Sequence, residues 1–593
     1  MTVESVQVTN TYPHADSRYE NVEATVHFAV DPEYLANEAI ADLKLAPRDA
    51  DGLVRFDADL RLTRPVDGGN GKLLFVVPNR GVPTNAPWLK GGFLLDRGWT
   101  IASCGWQWDV QRGPAILGLT APQVGADKVE PGFMRLEWRS DSAHAEHRLS
   151  FSAPEIESIP GADVLFNFTD YPTVDVDDPQ AVLTVRTAPD AEPTTIPRDT
   201  WRFTDQTHVA LDGGFQPFHW YELVYRTALA PVAGCGLLAI RDVVSHLRGD
   251  RIEHTFAYGV SQAGRLLRQF LSDGLNVDES GMRVFDGVFS DFAGAARGEF
   301  NHRYAQPSVA GVTGFATRGK YGNADLLARQ RELGGVPKTI FTNSSTEYWQ
   351  GDGALVHVDP HTGQDLPEDP DVRTYLLAGT DHFGSSKIKD ALPAANPVHH
   401  LDVTPVTRAL LIALENWVAD GIEPPASRVP RTSDGTAIAR KDVLSTFAHA
   451  NTPSPAWLPV SRRVDLGPDA DRGIGSWPVQ LGESHVDLVS AVDADGNEVA
   501  GIRLPAVAAP LAAYTGWNAR SYVAELPDVM YERIGSKLDF APGRPSVAER
   551  YPTRDHYAAA VREAAEALVV ERLLLAGELE SVVKKAVAEY PVG

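Results

Sequence analysis

The chain has 593 residues, and its 79 acidic against 54 basic side chains give a formal net charge of −25. Nucleic acids and anionic membrane surfaces are bound through basic patches that release counterions, so this charge argues against both as partners. No apolar run reaches the roughly 18 residues of a transmembrane helix. The first residues, "MTVESVQVTNTYPHADSRYE", lack the basic and apolar segments of a signal peptide, so we expect a cytoplasmic protein.

The two cysteines, Cys104 and Cys235, lie far apart and outside any C-x-x-C pair. They form neither a disulfide framework nor a zinc-ligand pattern, so we expect both to be small buried hydrophobic residues. The cysteines therefore predict no structural zinc site, and the chemistry that the motifs below predict requires neither a metal nor an organic cofactor.

The first 230 residues divide into three patterns. Residues 1–60 alternate polar and apolar side chains, as in "VEATVHFAV", which predicts an N-terminal antiparallel β segment. Residues 61–112 contain two apolar runs, "GKLLFVVPNRG" and "GWTIASCGWQWDV", typical of strands covered on both faces of a parallel sheet. Short β-like bursts return in residues 113–230, which we interpret as a β-rich insertion.

Helix and strand patterns alternate over residues 231–425, for example in "GLLAIRDVVSHLRGD", "HTFAYGVS" and "TPVTRALLIALENWVADG". This alternation predicts an α/β fold with a doubly wound, mainly parallel sheet, whose first strands lie in residues 61–112. Residues 295–335 lie between two of the predicted strands and are a candidate cap.

Residues 436–593 form a C-terminal region with a mixed pattern. It ends in two predicted helices, 555–574 and 576–590. Ser546 and Glu549 precede them with the spacing of a capping box. We expect an α-rich end to the chain.

The segment "YGVSQAG" places Ser261 where a buried strand ends and a helix begins. A nucleophile on such a sharp turn projects its hydroxyl at the C-terminal edge of the sheet. Gly259 and Ala263 are small enough for the strand and the helix to approach closely, although Ala263 departs from the usual G-x-S-x-G pattern. The alternative interpretation is an N-cap serine for the helix that begins at Gln262.

A serine nucleophile needs a base within reach and an acid that orients the base. In this fold the chain order is serine, acid, histidine, each at the end of a later strand. Glu347 follows the strand "TIFTN", and His382 follows the strand "RTYLLAGT". Asp291, at the end of "FDGVFSD", is the rival acid, and Asp352 is a further candidate.

Acyl transfer passes through a tetrahedral oxyanion that requires positioned N–H donors. We predict one donor at the backbone N–H of Gln262 and another in the loop after "LLFVVPNRG", at Arg80 or Gly81. The alternative for this loop is a simple turn. Trp106 and Trp108 follow a strand of the sheet and are candidates for an apolar substrate pocket, with core packing as the alternative.

Together, "VPNRG", "SCGWQWDV", "YGVSQAGRLLRQFL", "TNSSTEYW" and "LLAGTDHFG" resemble the large bacterial α/β-hydrolase domain-containing proteins, and "GIRLPAVAAPLAAYTGWN" extends the resemblance into the C-terminal region. The resemblance implies an α/β-hydrolase fold and a serine nucleophile at Ser261, with Glu347 and His382 as partners. It also implies that the C-terminal region packs on the core, with Tyr514 and Trp517 near the site. Ordinary aromatic packing is the alternative for both residues.

We therefore predict a serine hydrolase that cleaves a small-molecule carboxylic ester through an acyl-enzyme. The same triad could serve an acyltransferase, an amidase or a lactonase, because these activities differ in pocket shape and water access. A non-catalytic binding module on the same fold is the alternative from another class of function. The sequence predicts neither the identity of the ester nor the oligomeric state.

Overall fold

The computed structural model describes residues 2–83, 92–139, 142–150, 167–249, 251–309, 317–319, 321–477, 479–521 and 528–591. Eleven strands within these ranges form a central sheet. The first six strands come from the N-terminal part of the chain: β1 (Val3–Pro13), β2 (Tyr19–Val30), β3 (Val54–Pro65), β4 (Lys72–Val76), β5 (Thr100–Cys104) and β6 (Leu119–Thr120).

The predicted N-terminal strands extend the central sheet at one edge. β1, β2 and β3 pair antiparallel in succession, β3 pairs antiparallel with β5, and β4 and β5 run parallel. In β2 every second side chain is buried, from Val22 to Val26 and Phe28, while the residues between them are partly exposed. This period of two places one face of the strand on the core, as the sequence pattern predicts.

The insertion folds into two small antiparallel sheets. Their strands are β7 (Gly132–Arg139), β8 (His144–Arg148), β9 (Val182–Arg186), β10 (Thr194–Thr195), β11 (Trp201–Phe203), β12 (His208–Phe215) and β13 (Trp220–Thr227). One sheet has the order β10-β9-β13-β7 and the other β11-β12-β8. Buried aromatic rings such as Trp138, Phe215 and Tyr221 pack between them. The predicted β-rich character of this segment is confirmed, and its residues 151–166 lie outside the described ranges.

The α/β part of the chain follows: α1 (Cys235–Arg248), β14 (His254–Val260), α2 (Gln262–Ser272), β15 (Gly287–Asp291), α3 (Asn323–Leu333), β16 (Lys338–Ser344), α4 (Ser345–Trp349), β17 (Val372–Ala378) and α5 (Thr404–Asp420). From β4 onward the strands run parallel in the order β4-β14-β15-β16-β17. The carboxyl ends of these strands therefore meet at one edge. The prediction of a doubly wound, mainly parallel sheet is confirmed.

Both faces of this sheet are covered, which explains the continuous apolar runs in the sequence. Leu73 and Phe75 of β4 face a core shared with α1 and α2, whereas Leu74 and Val76 face a core shared with α5. Successive residues of a strand point to opposite faces, so both sets must be apolar when helices lie on both sides.

The C-terminal region is joined to the same body. It contains β18 (Ala437–Ala439), α6 (Arg440–Leu444), β19 (Arg462–Asp465), β20 (Gln480–Ser484), β21 (Leu488–Ser490), β22 (Ile502–Arg503), α7 (Pro505–Ala508), β23 (Ala513–Tyr514), β24 (Asn518–Ala519), β25 (Met530–Tyr531), β26 (Lys537–Leu538), α8 (Val547–Arg550), α9 (Arg554–Val570) and α10 (Leu579–Ala588). β22 pairs parallel with β17, and Val561 and Leu568 of α9 pack in the same core as Leu410 of α5. The region therefore packs on the α/β part of the chain.

Several local predictions are also resolved. Ser546 and Glu549 form the predicted capping box, which begins the short helix α8. Cys104 and Cys235 are buried free thiols, as expected. Within the described ranges, no helix is both long and apolar enough to cross a bilayer.

The segment predicted as a cap has two different parts. α3 contributes Leu326 and Leu327 to the main core, so residues 323–333 form a helix that packs in the core and not a cap. In the first part, a cavity at the edge of the sheet is lined by Ala296, Arg297, Gly298 and Phe300. Residues 310–316 and 320 lie outside the described ranges, and the division of the chain at the predicted boundaries stays a prediction.

Candidate active site

Ser261 lies on the turn between β14 and α2. Its backbone has φ 58° and ψ −120°, a region that residues other than glycine rarely adopt. Its N–H donates to the carbonyl oxygen of Asp291 at 2.8 Å, and its own carbonyl accepts from Arg265 at 2.9 Å. Ser261 occupies the N-cap position of α2, as the alternative interpretation had it, but its hydroxyl makes no capping hydrogen bond to the helix.

Two glycines allow this turn to form. A Cβ atom on Gly259 would lie 2.5 Å from the carbonyl oxygen of Ala263, and one on Gly264 would lie 3.0 Å from the Cβ atom of Ala293. Ala263 itself is fully buried in the core, where its methyl group is accommodated. The close approaches fall at positions 259 and 264, which explains why alanine is acceptable at position 263.

His382 lies after β17 and Glu347 on α4 after β16, and the fold brings both to Ser261. Nε2 of His382 lies 2.9 Å from Oγ of Ser261, and its Nδ1 lies 2.6 Å from Oε1 of Glu347. A carboxylate next to Nδ1 favours the proton on that nitrogen, which leaves Nε2 to accept from the serine hydroxyl. This arrangement is that of a serine, a base and an orienting acid.

Glu347 is held in place by the start of its own helix. It is 1% exposed, and its second oxygen, Oε2, accepts from the backbone N–H of Ser344 at 2.7 Å and from the Ser344 hydroxyl at 2.6 Å. This is a capping box, in which an acid at the third helical position bonds back to the N-cap. Glu347 therefore presents Oε1 to the imidazole in a fixed orientation.

The rival carboxylates make other hydrogen bonds. Asp291 accepts from the hydroxyls of Tyr258, at 2.8 Å, and Thr342, and burial raises its pKa to about 6. Asp352 accepts from the backbone N–H groups of Ala295 and Ala296, each at 3.2 Å, and burial raises its pKa too. The hydrogen bond to the imidazole belongs to Glu347.

The loop after β4 is tied to the first turn of α2. The side chain of Asn79 accepts from the N–H of Ala263 at 2.9 Å, and the backbone N–H of Arg80 donates to Oε1 of Gln262 at 2.9 Å. The N–H of Arg80, one of the predicted oxyanion donors, thus has an internal acceptor, because the Gln262 side chain folds back over it. Within the described ranges, no acceptor contacts the N–H groups of Gln262 and Gly81, the other two predicted donors.

A cavity of about 260 Å³ opens beside Ser261, and Ser261, Gln262 and His382 are in its wall. Its aromatic side chains come from the insertion, the segment after β15 and the C-terminal region: Trp138, Trp220, Phe300, Tyr321 and Trp457. Trp220 and Trp457 stack with ring centroids 5.7 Å apart. Three distant parts of the chain therefore build the space in which a substrate would lie.

The four aromatic residues predicted to bind substrate are not part of this wall, and that prediction is corrected. Trp106 is 2% exposed, donates to the carbonyl of Pro78 at 2.7 Å and belongs to the main core. The other three pack against neighbouring rings: Trp108 on Tyr171, Tyr514 on His399, and Trp517 on Trp349 and Phe447. Apolar sequence context predicted their burial but not a position beside the cavity.

Sequence reasoning also missed residues that matter at the site. Asn79 lies in the "PNRG" loop, and its contact with Ala263, 184 positions further along the chain, had no local sequence signal. Within the described ranges, no three His, Cys, Asp or Glu side chains are grouped so that they could hold a metal ion.

Comparisons with known proteins agree with this architecture. A family model described as an alpha/beta hydrolase domain matches residues 235–584, more than half of the 593 residues. The chain belongs to this alpha/beta hydrolase family. A comparison with curated proteins gives no match.

Solved structures with partial similarity include a CE15 glucuronoyl esterase from Teredinibacter turnerae T7901, which is 11% identical, with 60% of this chain and 64% of that chain covered and a TM-score of 0.25. The match thus covers less than two thirds of that protein. An acetyl xylan esterase from Paenibacillus sp. R4 is 9% identical, with 58% and 74% covered and a TM-score of 0.23.

Proposed function

We propose that this protein is a serine hydrolase that cleaves carboxylic esters through an acyl-enzyme on Ser261. The observation that carries the proposal is the hydrogen-bonded series from Ser261 through His382 to Glu347, with distances of 2.9 Å and 2.6 Å, at the wall of a cavity. The strained backbone of Ser261 supports it, since strain of this kind is found at functional sites.

In the first half of the reaction, Nε2 of His382 takes the hydroxyl proton while Oγ of Ser261 attacks the ester carbonyl. Glu347 stabilises the imidazolium that forms. The carbonyl oxygen becomes an oxyanion, and the backbone N–H groups of Gln262 and Gly81 are the donors available to it. Collapse of this intermediate breaks the bond to the alcohol, which leaves with the proton from His382.

In the second half, a water molecule gives a proton to His382 and attacks the acyl-enzyme. A second oxyanion forms and collapses, the acid is released, and the proton returns to Ser261. In every step of this reaction, a side chain of this protein takes part in the proton transfer. Arg80 takes part through its N–H only if the Gln262 side chain first moves away.

A fluorophosphonate probe tests the nucleophile. The wild-type protein should be labelled, because the probe phosphonylates an activated serine. Ser261→Ala should not be labelled, whereas Ser461→Ala, which changes another serine in the cavity wall, should still be labelled. Absence of labelling in the wild type, or labelling that persists in Ser261→Ala, would reject the assignment.

Hydrolysis of 4-nitrophenyl esters with acyl chains of increasing length then tests the reaction class. We expect release of nitrophenol by the wild type and none above background by Ser261→Ala. A protein that is labelled by the probe but hydrolyses none of these esters would have an activated serine without ester hydrolysis as its activity.

A further inference from the structure

The cavity beside Ser261 has the opposite charge balance to the whole chain. The described residues that line it include seven arginines and three carboxylates. In the full sequence, acidic side chains outnumber basic ones by 79 to 54. The excess of positive charge is thus a local property of the cavity.

Part of this positive charge is neutralised within the protein. Three of the arginines are paired with carboxylates: Arg139 with Glu532, Arg186 with Glu137, and Arg462 with Asp190. These pairs need no ligand to balance them. Their guanidinium groups hold the wall of the cavity together, because each pair joins different segments of the chain.

Arg265 is different. It lies on α2 one helical turn after Ser261, and its Nε donates to the carbonyl oxygen of Ala293 at 3.0 Å, which fixes the side chain. Within the described ranges, no carboxylate lies within 4.0 Å of its guanidinium, and no acceptor contacts Nη1 or Nη2. Asp352 is on the same wall and interacts electrostatically with Arg265, but its carboxylate bonds to the backbone of Ala295 and Ala296 and not to the guanidinium.

The guanidinium of Arg265 is partly exposed in the cavity and has no direct ion pair among the described residues, so its free Nη atoms can bind an anion that enters the cavity. The two Nη atoms form a fork that matches the two oxygens of a carboxylate. Arg265 and Ser261 lie in the wall of the same cavity, and the backbone N–H of Arg265 donates to the carbonyl oxygen of Ser261 at 2.9 Å, so an anion bound at Arg265 would share the cavity with an ester carbonyl at Ser261.

We propose that Arg265 binds a carboxylate carried by the substrate, so that the preferred substrates are esters that also bear a free acid. This deepens the proposed function and rests on it. The guanidinium would act in binding and orientation, while Ser261, His382 and Glu347 perform the chemistry.

Two pairs of matched esters test the proposal. In the first pair the charge is on the acyl side: mono-4-nitrophenyl adipate against 4-nitrophenyl 6-oxoheptanoate, whose methyl ketone replaces the carboxylate. In the second pair it is on the alcohol side: 3-carboxyphenyl butanoate against 3-acetylphenyl butanoate. A charge-assisted hydrogen bond contributes about 1.5–3 kcal/mol, so in at least one pair kcat/KM should favour the anionic ester by about 10-fold or more.

Substitution of Arg265 should remove this preference. In Arg265→Gln the ratio of kcat/KM for the anionic and neutral esters should fall to about one, and Arg265→Lys, which keeps the charge, should restore part of it. Arg186→Gln is the matched control, since Arg186 is on the same wall but already paired with Glu137 at 3.1 Å. Its ratio should stay that of the wild type.

A binding measurement separates the proposal from the catalytic assignment. The Ser261→Ala protein should bind the preferred anionic ester at least about 10-fold more tightly than its neutral partner by calorimetry, and the added Arg265→Gln change should abolish the difference. Equal kcat/KM within both pairs, with neutral esters hydrolysed, would overturn the carboxylate site and leave the esterase intact. Failure of all four esters, together with no probe labelling, would reject the proposed function itself.

Discussion

The three side chains proposed to react and the cavity wall beside them are built in different ways. Ser261, Glu347 and His382 each follow a parallel strand, so the topology of one sheet brings them to a common edge. The wall takes residues from the insertion, the segment after β15 and the C-terminal region. The first set should therefore be required for any ester, whereas the wall should decide which ester is bound.

The largest effect should come from the reacting groups. Ser261→Ala and His382→Ala should each lower kcat by about 10⁴-fold or more for every ester tested, because loss of either leaves only binding and the oxyanion donors. Circular dichroism and thermal unfolding should show a folded protein in both cases. Turnover by His382→Ala near the wild-type level would remove this residue as the base.

The orienting acid comes next. Glu347→Gln should lower kcat by about 10²- to 10⁴-fold, since an amide favours the wrong imidazole tautomer. Glutamine still fits a capping box, so α4 should keep its start. Asp291→Asn, the matched change in the rival acid, should lower kcat by less than about 10-fold, and the reverse ranking would transfer the role to Asp291.

Substitution of one tryptophan in the cavity wall and one in the core should have different effects. Trp220→Ala, in the wall, should raise KM for large esters with little change in the free energy of unfolding. Trp106→Ala, at 2% exposure, should instead lower the free energy of unfolding by about 3–5 kcal/mol. Chemical denaturation and steady-state kinetics measure both effects, and a normal stability for Trp106→Ala would contradict its position in the core.

A smaller effect is expected at Glu498, a buried residue from the C-terminal region. One of its oxygens accepts from Oγ of Ser345 at 2.5 Å and from the N–H of Gly379 at 2.8 Å, so it joins the segments that precede Glu347 and His382. Glu498→Ala should lower kcat by about 10-fold through looser positioning, and Glu498→Gln should restore it, because an amide oxygen can accept both bonds.

The same residue predicts a dependence of stability on pH. Burial raises the pKa of Glu498 to about 7, above its value in the unfolded chain. The protonated form therefore stabilises the fold, and this contribution is lost as the pH rises through about 7. The Tm of Glu498→Gln relative to wild type should increase between about pH 5 and pH 8, and a constant difference would show that Glu498 is not titrating in this range.

The sequence predicted the parts of the protein that depend on strand ends. Apolar runs marked the parallel strands, and the residues after them, Ser261, Glu347 and His382, lie together in the structure. Their catalytic roles stay predictions. The hydrogen bond of the Arg80 N–H was not predictable. Its acceptor is the side chain of Gln262, and the sequence around either residue does not indicate this contact.

Contacts between distant segments could not be predicted from the sequence. Trp106 and Trp220 both have mixed polar and apolar neighbours along the chain, yet one lies in the core and the other in the cavity wall. Glu498 reaches Ser345 across 153 positions. Such placements follow from how the insertion and the C-terminal region pack, which periodicity and motif spacing do not encode.

The left-handed backbone at Ser261 sets stability and activity against each other at a single position. Such a conformation costs a non-glycine residue about 1–3 kcal/mol, more than the added flexibility of glycine costs the folded state. A library randomised at position 261 and selected only for resistance to heat or protease should enrich glycine above the native serine. Every variant with glycine at position 261 would lack the hydroxyl, so thermostabilised variants of this chain must be selected for turnover as well.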